Sequence, residues 1–357
     1  MFCLNFRRHL AAFLSLLMSL TILIGCGEKQ ESASAEPKGK VYFSYFDTVS
    51  YIYDYSGDSA ERFDSRSAEV SHLLEEYHRL FDIYHEYTGI NNLRTVNLHA
   101  GGEPLQVDQR LIDFLLYARD MAELTGGQMD ILFGAVLKLW HECREEASAD
   151  PSHARIPSQE DLQEAARHIG INFLEIDAEN RTVRITDPKA SIDVGALGKG
   201  YATEMAARYL EQEGANGYVL NIGGNIRIIG TRPDGSGWKT GIRDPADPDG
   251  AYALHIRIAD TACVSSGVYE RYYIAEGKRW HHIIDPDTLV PADYYGSLTV
   301  ITRDSGLADA LSTALFCMDY EDGSALVDRL DGVEACWFYL DGEQRWSDGF
   351  GSLIVNS

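Results

Sequence analysis

Basic residues are scarce in this chain. Lys and Arg number 31 against 55 Asp and Glu, a formal charge of −24. No net positive field exists to release counterions from a polyanion, which excludes a generally basic nucleic-acid binder. Cysteine is also sparse, with 6 in all, and no two have CxxC spacing, so a zinc ribbon is excluded. Glycine and proline show no period and no segment repeats, which removes collagen-like and solenoid architectures. The one long apolar run, Leu10 to Ile24, falls short of the ~20 residues that a membrane-spanning helix needs. What the chain does have is aromatic residues: 20 Tyr, 13 Phe and 5 Trp, the composition of a packed protein.

The amino end reads as an address. Arg7 and Arg8 precede the apolar run, which ends in Leu23-Ile24-Gly25-Cys26, the pattern of a bacterial lipobox. Residues 1–25 are therefore expected to be a signal peptide and Cys26 a lipidated first residue on the extracytoplasmic side of a membrane. A short transmembrane anchor is the competing reading. Residues 26–40, polar and rich in Ser, Ala and Glu, read as the lipidated Cys and a flexible tether, with the folded domain over 41–357. An extracytoplasmic compartment permits disulfides, but Cys263 and Cys317 sit in apolar runs and read as buried free thiols.

The body begins with a strand-like stretch at 41–55. Val70, Leu73, Leu74, Tyr77, Leu80, Phe81 and Tyr84 then recur at helical spacing. Helices are expected at 111–124, with Asp108 as N-cap, at 131–141, and after Pro157-Ser158. A hairpin is expected over 173–185. From Ser191 strands predominate, at 218–221, 226–229, 238–242, 252–258, 272–275 and 297–302, with helices at 200–212, 307–318 and 323–330. This order lacks a βαβ alternation. It predicts an α+β fold with a mixed, largely antiparallel sheet and packed helices.

Four segments could carry chemistry. Asp193 to Ala202 (DVGALGKGYA) places three glycines and Lys199 at a helix start, suited to a phosphate or pyrophosphate, or else simply a tight strand-to-helix turn. It fits neither the Walker pattern nor GxGxxG. The Gly223-Gly224 pair reads as a hairpin turn. His281 and His282 are adjacent in a strand and so face opposite sides, which disfavours a zinc site built on both with Asp285. One would face a site while the other packs. Asp309 and Thr313 lie one helical turn apart amid small residues, offering hard oxygen ligands to Mg²⁺, or else a solvated polar stripe.

Taken together, the motifs resemble the FAD:protein FMN transferase family of ApbE-type lipoproteins, in order from about Val41 to the carboxyl end. Phe46-Asp47-Thr48 resembles the family's Met-Gly-Thr element, and Phe81-Asp82-Ile83-Tyr84 its next, flavin-side stretch. Gly127-Gln128-Met129-Asp130 with Leu139-Trp140 is similar to Gly-x-Phe-Asp…Leu-Trp, and Asp193–Tyr201 to Asp-x-Gly-Gly-Ile-Ala-Lys-Gly-Tyr. Asn221–Asn225, Ser266-Gly267, His281–Thr288 and Ala308–Thr313 complete the series. Phe46 and Asp47 stand where the family has Met and Gly. Leu289 replaces the Gly that follows Asp-Pro-x-Thr, so that loop is expected to turn differently.

The resemblance implies an ApbE-like, T-fold-related architecture. It implies an enzyme that cleaves FAD at its pyrophosphate, moves FMN onto a Thr or Ser hydroxyl of a flavin-carrier protein of a membrane redox complex, and releases AMP. It implies Mg²⁺ held by Asp309, Thr313 and the Ala196 carbonyl, with Lys199 facing the pyrophosphate. Phe46, Tyr84, Gln128, Met129, Asp130, Asp193 and Ile283 would line the FAD site, and Asp309 or His282 would serve as the base. Two rival readings remain open: a non-catalytic FAD-binding lipoprotein, and a pyrophosphatase that splits FAD to FMN and AMP.

Overall fold

Alternation along the central strands places side chains in two different cores, and this organises the molecule. The computed structural model describes residues 37–250 and 252–356, which fall within one compact unit. The signal-peptide segment and Cys26 lie outside the described residues. Eight strands form an antiparallel sheet in the order β1 (Lys38–Tyr45), β2 (Thr48–Asp54), β6 (Tyr218–Ile222), β7 (Asn225–Ile229), β10 (Ala262–Gly267), β13 (Ser297–Thr302), β14 (Glu334–Phe338) and β15 (Gln344–Trp346). Three further strands, β3 (Leu105–Gln106), β4 (Leu174–Asp177) and β5 (Thr182–Ile185), make a small separate sheet.

On one face of the large sheet, Tyr218, Leu220 and Ile222 pack under helices, as do Val264, Leu298, Val300, Ala335 and Trp337. Their neighbours Cys263, Ile301, Cys336 and Phe338 point the other way. There they meet Trp238 and Ile242 of β8 (Trp238–Arg243) and Ile256 and Ile258 of β9 (Tyr252–Ile258). Successive residues face opposite sides of a strand, so a sheet covered on both faces needs apolar residues at nearly every position. That is why β13 is buried throughout.

Among the described residues eight α-helices complete the fold: α1 (Ala60–Phe81), α2 (Leu93–Leu98), α3 (Gln109–Leu124), α4 (Gly134–Ala149), α5 (Gln159–Ala165), α6 (Gly198–Gln212), α7 (Ser305–Ala314) and α8 (Tyr320–Val327). The caps read from sequence are in place. Asp108 accepts from the Arg110 N–H and Ser158 from the Asp161 N–H. A hairpin of β11 (Tyr272–Ala275) and β12 (Lys278–His281) packs Tyr273 and Ala275 against Trp140 and Cys143 of α4. Among the described residues the cysteines are free and buried. Burial pushes the Cys263 and Cys336 thiols up to about 12. No helix of the described residues is long and apolar enough to cross a membrane.

Two expectations need correction, and one substitution can now be placed. The strand begins at Lys38, inside the segment read as tether, because Lys38 pairs with Asp54 and Lys40 with Asp64 of α1. Residues 131–133 form a 3-10 turn rather than the start of a helix, closed by the Asp130 side chain. Leu289 turns as a glycine would, at φ +64. A left-handed residue costs about 1–2 kcal/mol. Two hydrogen bonds hold it: its N–H donates to the Asp285 carbonyl at 2.8 Å, and its carbonyl accepts from the Trp140 indole N–H at 2.9 Å.

Candidate active site

The site is built where α6 and α7 meet. Both helices are lined with small residues: Gly198, Gly200, Ala202 and Ala206 on one, Gly306, Ala308, Ala310 and Ser312 on the other. Close approach follows, and Gly200 is where it is closest. A Cβ there would lie 2.4 Å from the Asp309 Cβ and 2.5 Å from the Ser305 carbonyl oxygen.

Helix α6 has no side-chain cap of its own. Its third residue, Gly200, instead donates its N–H to the Asp309 Oδ2 at 2.8 Å, so a carboxylate from α7 closes the start of α6. The Lys199 ammonium lies 3.9 Å from the same oxygen and 3.2 Å from the Gly195 carbonyl. Lysine, carboxylate and the turn carrying Ala196 are thus within mutual reach. Burial pushes the Asp309 carboxyl up, opposed by Lys199 and the Gly200 N–H.

The donor chemistry suits a hard divalent cation. Thr313 sits one turn beyond Asp309 on α7 and is half-buried. Neither the Asp309 Oδ1 nor the Thr313 hydroxyl has a hydrogen-bond partner among the described residues. No trio of His, Cys, Asp or Glu among them is arranged to hold a metal. A cation here would rest on one carboxylate with neutral oxygens, as Mg²⁺ accepts and zinc does not favour.

Around this point stands a cationic, aromatic mouth. His282 is half-buried and its Nδ1–H donates to the Arg271 carbonyl at 3.2 Å. Burial, then the charges of Arg271, Arg144 and Lys199, push its imidazole down to about 3. Tyr84 is exposed, with its ring 5.7 Å from that of His141, and its phenol is pushed up by burial and by Asp193. Arg144 is pushed down by burial and by Arg271. Neither arginine has an acidic partner within ion-pair distance among the described residues. Sequence reasoning singled out neither, because no motif or spacing marks Arg144 within α4 or Arg271 before β11.

The two adjacent histidines divide as strand alternation requires. His281 is buried against Phe316, its Nε2–H donating to the Ala292 carbonyl at 2.8 Å and its Nδ1 accepting from the Ile283 N–H. Both nitrogens are committed, so it is no metal ligand. Burial holds the ring down to about 4. Its unfolded pKa is near 6.5, so the unfolded chain binds the extra proton first. Stability is therefore full above pH 6.5, falls by roughly 3 kcal/mol as pH drops to about 4, and is flat below. His281→Gln should flatten that part of the curve in urea unfolding between pH 7 and 4. Parallel curves for wild type and variant would mean that the ring titrates normally.

Other residues expected at the site are placed differently. Met129 and Ile283 are buried in the core, so only their backbones could meet a ligand. Both Asp130 oxygens are committed, to the Leu132 and Ile171 N–H groups. Gln128 donates from Nε2 to Asp287 at 2.9 Å, which ties its loop to the 285–289 turn. Asp193 accepts from the Gly195 N–H at 2.8 Å and so shapes the glycine turn. Phe46 and Asp47 form the β1–β2 turn at φ +54 and +51. Phe46 packs edge-on against His78 at 5.6 Å. Gly223 and Gly224 make the adjacent β6–β7 hairpin turn, as expected.

A lysine at a glycine-lined helix start, near two arginines without acidic partners among the described residues, defines an α+β protein whose site suits an anionic, phosphorylated ligand. Residues 48–337 match the ApbE family, and the chain belongs to it. The FAD:protein FMN transferase of Treponema pallidum is 31% identical over 301 residues, 79% of this chain and 81% of its own. That of Vibrio cholerae is 30% identical over 87% of this chain and 89% of its own. Among solved structures, the ApbE protein of Thermotoga maritima superposes with a TM-score of 0.79 at 28% identity, covering 90% of this chain and 100% of that one. The flavin transferase ApbE from Vibrio cholerae gives 0.72 at 26%, covering 89% and 99%. The α+β, largely antiparallel architecture is thus the ApbE fold.

Proposed function

We propose that this chain is an FAD:protein FMN transferase that attaches FMN, through a phosphoester bond, to a Thr or Ser hydroxyl of a flavin-carrier protein and releases AMP. The observation that carries this is the meeting of Asp309, Lys199 and Gly200 at the start of α6, with Thr313 one turn on. The names of the relatives support the flavin chemistry. The acceptor hydroxyl oxygen bonds to the FMN phosphorus as the P–O–P bridge breaks, and AMP leaves with the bridging oxygen. Asp309, Thr313 and the Ala196 carbonyl would hold Mg²⁺, which when bound supplies charge neutralisation to the diphosphate.

The chain's own groups do the rest. Lys199, beside the glycine-lined start of α6, positions the anion. Arg144 and Arg271 face it from α4 and the β11 side, and Tyr84 offers a flat surface at the mouth. His282 is the group oriented for proton transfer. Its Nδ1–H is held by the Arg271 carbonyl, so Nε2 is the acceptor. Burial, then the cations around it, make the ring a weak base. A diphosphate settling among those cations would offset their part of the shift.

The Cys26 lipobox supports a lipid anchor on the extracytoplasmic face of a bacterial membrane. There enzyme and membrane-bound carrier share one surface, which raises their effective concentration. The test is mass analysis of a carrier domain after incubation with the protein, FAD and Mg²⁺. A gain of one FMN, with AMP in the supernatant, is expected. Intact FAD would leave a flavin-binding lipoprotein. FMN and AMP with an unmodified carrier would leave a pyrophosphatase.

A further inference from the structure

The two helices that form the site close each other's ends. Asp309 of α7 accepts the Gly200 N–H at the start of α6. One turn away, Glu204 of α6 accepts the N–H of Ser305, the first residue of α7, on Oε2 at 3.0 Å. The register is antiparallel: Gly200 meets Asp309 and Glu204 meets Ser305. Each helix start leaves backbone donors without intrahelical partners, and here one donor of each is satisfied by a carboxylate from the other helix.

Glu204 is itself held from several sides. Its Oε2 accepts from Arg227 Nε at 3.2 Å, and its Oε1 from Arg208 Nε at 3.2 Å. Arg227 has no exposed side-chain surface. Its remaining nitrogens donate to the Ile228 carbonyl and, at 2.6 Å, to Glu211. Arg208 reaches Asp304 at 2.8 Å. Asp304 in turn caps α7 through the Leu307 N–H at 2.9 Å and accepts from the Tyr117 hydroxyl at 3.1 Å. So the sheet (Arg227), α6 (Glu204, Arg208) and α3 (Tyr117) all converge on the first turn of α7. Asp309 and Thr313 sit on that helix one and two turns further on.

We propose that Glu204 is a positioning residue for the cation site, fixing the axial register of α7 through the Ser305 N–H so that Asp309 and Thr313 stand opposite the Ala196 turn. This rests on the cation reading given above. A slip of one residue along α7 would move its donors by 1.5 Å, about three times the ~0.5 Å within which a functional constellation must be held. The buried Arg227 guanidinium and Arg208, each bonded to one carboxylate oxygen, keep Glu204 aimed at the start of α7.

Two variants separate positioning from folding. Ser305→Pro removes the donor, and its ring carbon takes the place of the amide hydrogen, so the Glu204 carboxylate must turn away from the start of α7. Proline is tolerated at the first helical position, and Asp304 before it is already extended, at φ −90 and ψ 118. Glu204→Ala removes the acceptor, whereas Glu204→Gln keeps an acceptor oxygen. Mn²⁺ is titrated into the full-length protein and followed by electron paramagnetic resonance, with thermal melts and FMN-transfer kinetics alongside.

Ser305→Pro and Glu204→Ala should weaken Mn²⁺ binding by about tenfold, the usual range for groups that orient metal ligands. They should lower kcat with little change in the acceptor KM. Ser305→Pro should keep a single cooperative melt, and Glu204→Gln should stay within about threefold of wild type in Mn²⁺ affinity. Wild-type Mn²⁺ affinity in Ser305→Pro would overturn the proposal. So would a Glu204→Gln as impaired as Glu204→Ala, because the effect would then belong to the charge on Arg227. A wild-type protein that takes up no Mn²⁺ would remove the cation site itself, and the positioning role with it.

Discussion

Gly200→Ala is expected to destabilise the protein by roughly 3 kcal/mol and to bring flavin transfer close to background. Alanine normally gains up to about 1 kcal/mol over glycine inside a helix, so propensity alone predicts the opposite sign. Sterics decide. The added methyl would meet the Asp309 Cβ at 2.4 Å and the Ser305 carbonyl at 2.5 Å, and one of these is backbone that cannot swing aside. The helices must move apart, which also pulls Asp309 from the Gly200 N–H and Lys199. Urea unfolding and mass analysis of the carrier would read both effects. A variant with wild-type stability and rate would show that α6 and α7 can separate without consequence, and the account of the site would fail.

Asp309→Asn should cost roughly a thousandfold in flavin transfer while leaving the protein at least as stable as wild type when no metal is added. The amide oxygen can still accept the Gly200 N–H, so the helix start stays closed. What is lost is the charge. Burial pushes the Asp309 carboxyl up, so its ionised form is held at a cost in the metal-free protein. The sign follows from linkage. A carboxyl raised above its unfolded value destabilises the fold once pH exceeds that unfolded value, and a neutral amide removes that cost. Melting temperatures in chelator and transfer rates in Mg²⁺ would test the pair of expectations. Loss of stability together with activity would mean that the charge supports the fold and not the chemistry.

Much of the fold was legible from the chain alone because its signals are local. Asp108 and Ser158 announce helix starts by the short polar side chain before an apolar period, and both cap as expected. The strands β10 and β14 were not read. ACVSSG and EACWF lie within a sheet buried on both faces, so they show no polar alternation to mark them.

At the site, Asp309, Thr313 and Lys199 stood out because their spacing along one helix or turn is visible in sequence. Glu204 and Arg227 did not, since their partners are 101 and 23 positions away. One sign was available. Arg227 interrupts the run Ile226, Ile228, Ile229, and a lone arginine in a strand that apolar implies a buried acidic partner. Leu289 shows the opposite limit. Nothing in a leucine's type announces a left-handed residue, yet hydrogen bonds to Asp285 and Trp140 hold its backbone at φ +64.

The cysteines give the molecule built-in reporters of its own opening. Cys263 and Cys336 lie between the two sheets, Cys317 lies beneath the helices, and Cys143 lies under the β11–β12 hairpin. An alkylating reagent attacks thiolate, and these groups stay protonated and enclosed while the chain is folded. The order in which they become labelled therefore records which layer breathes first, without any engineered probe.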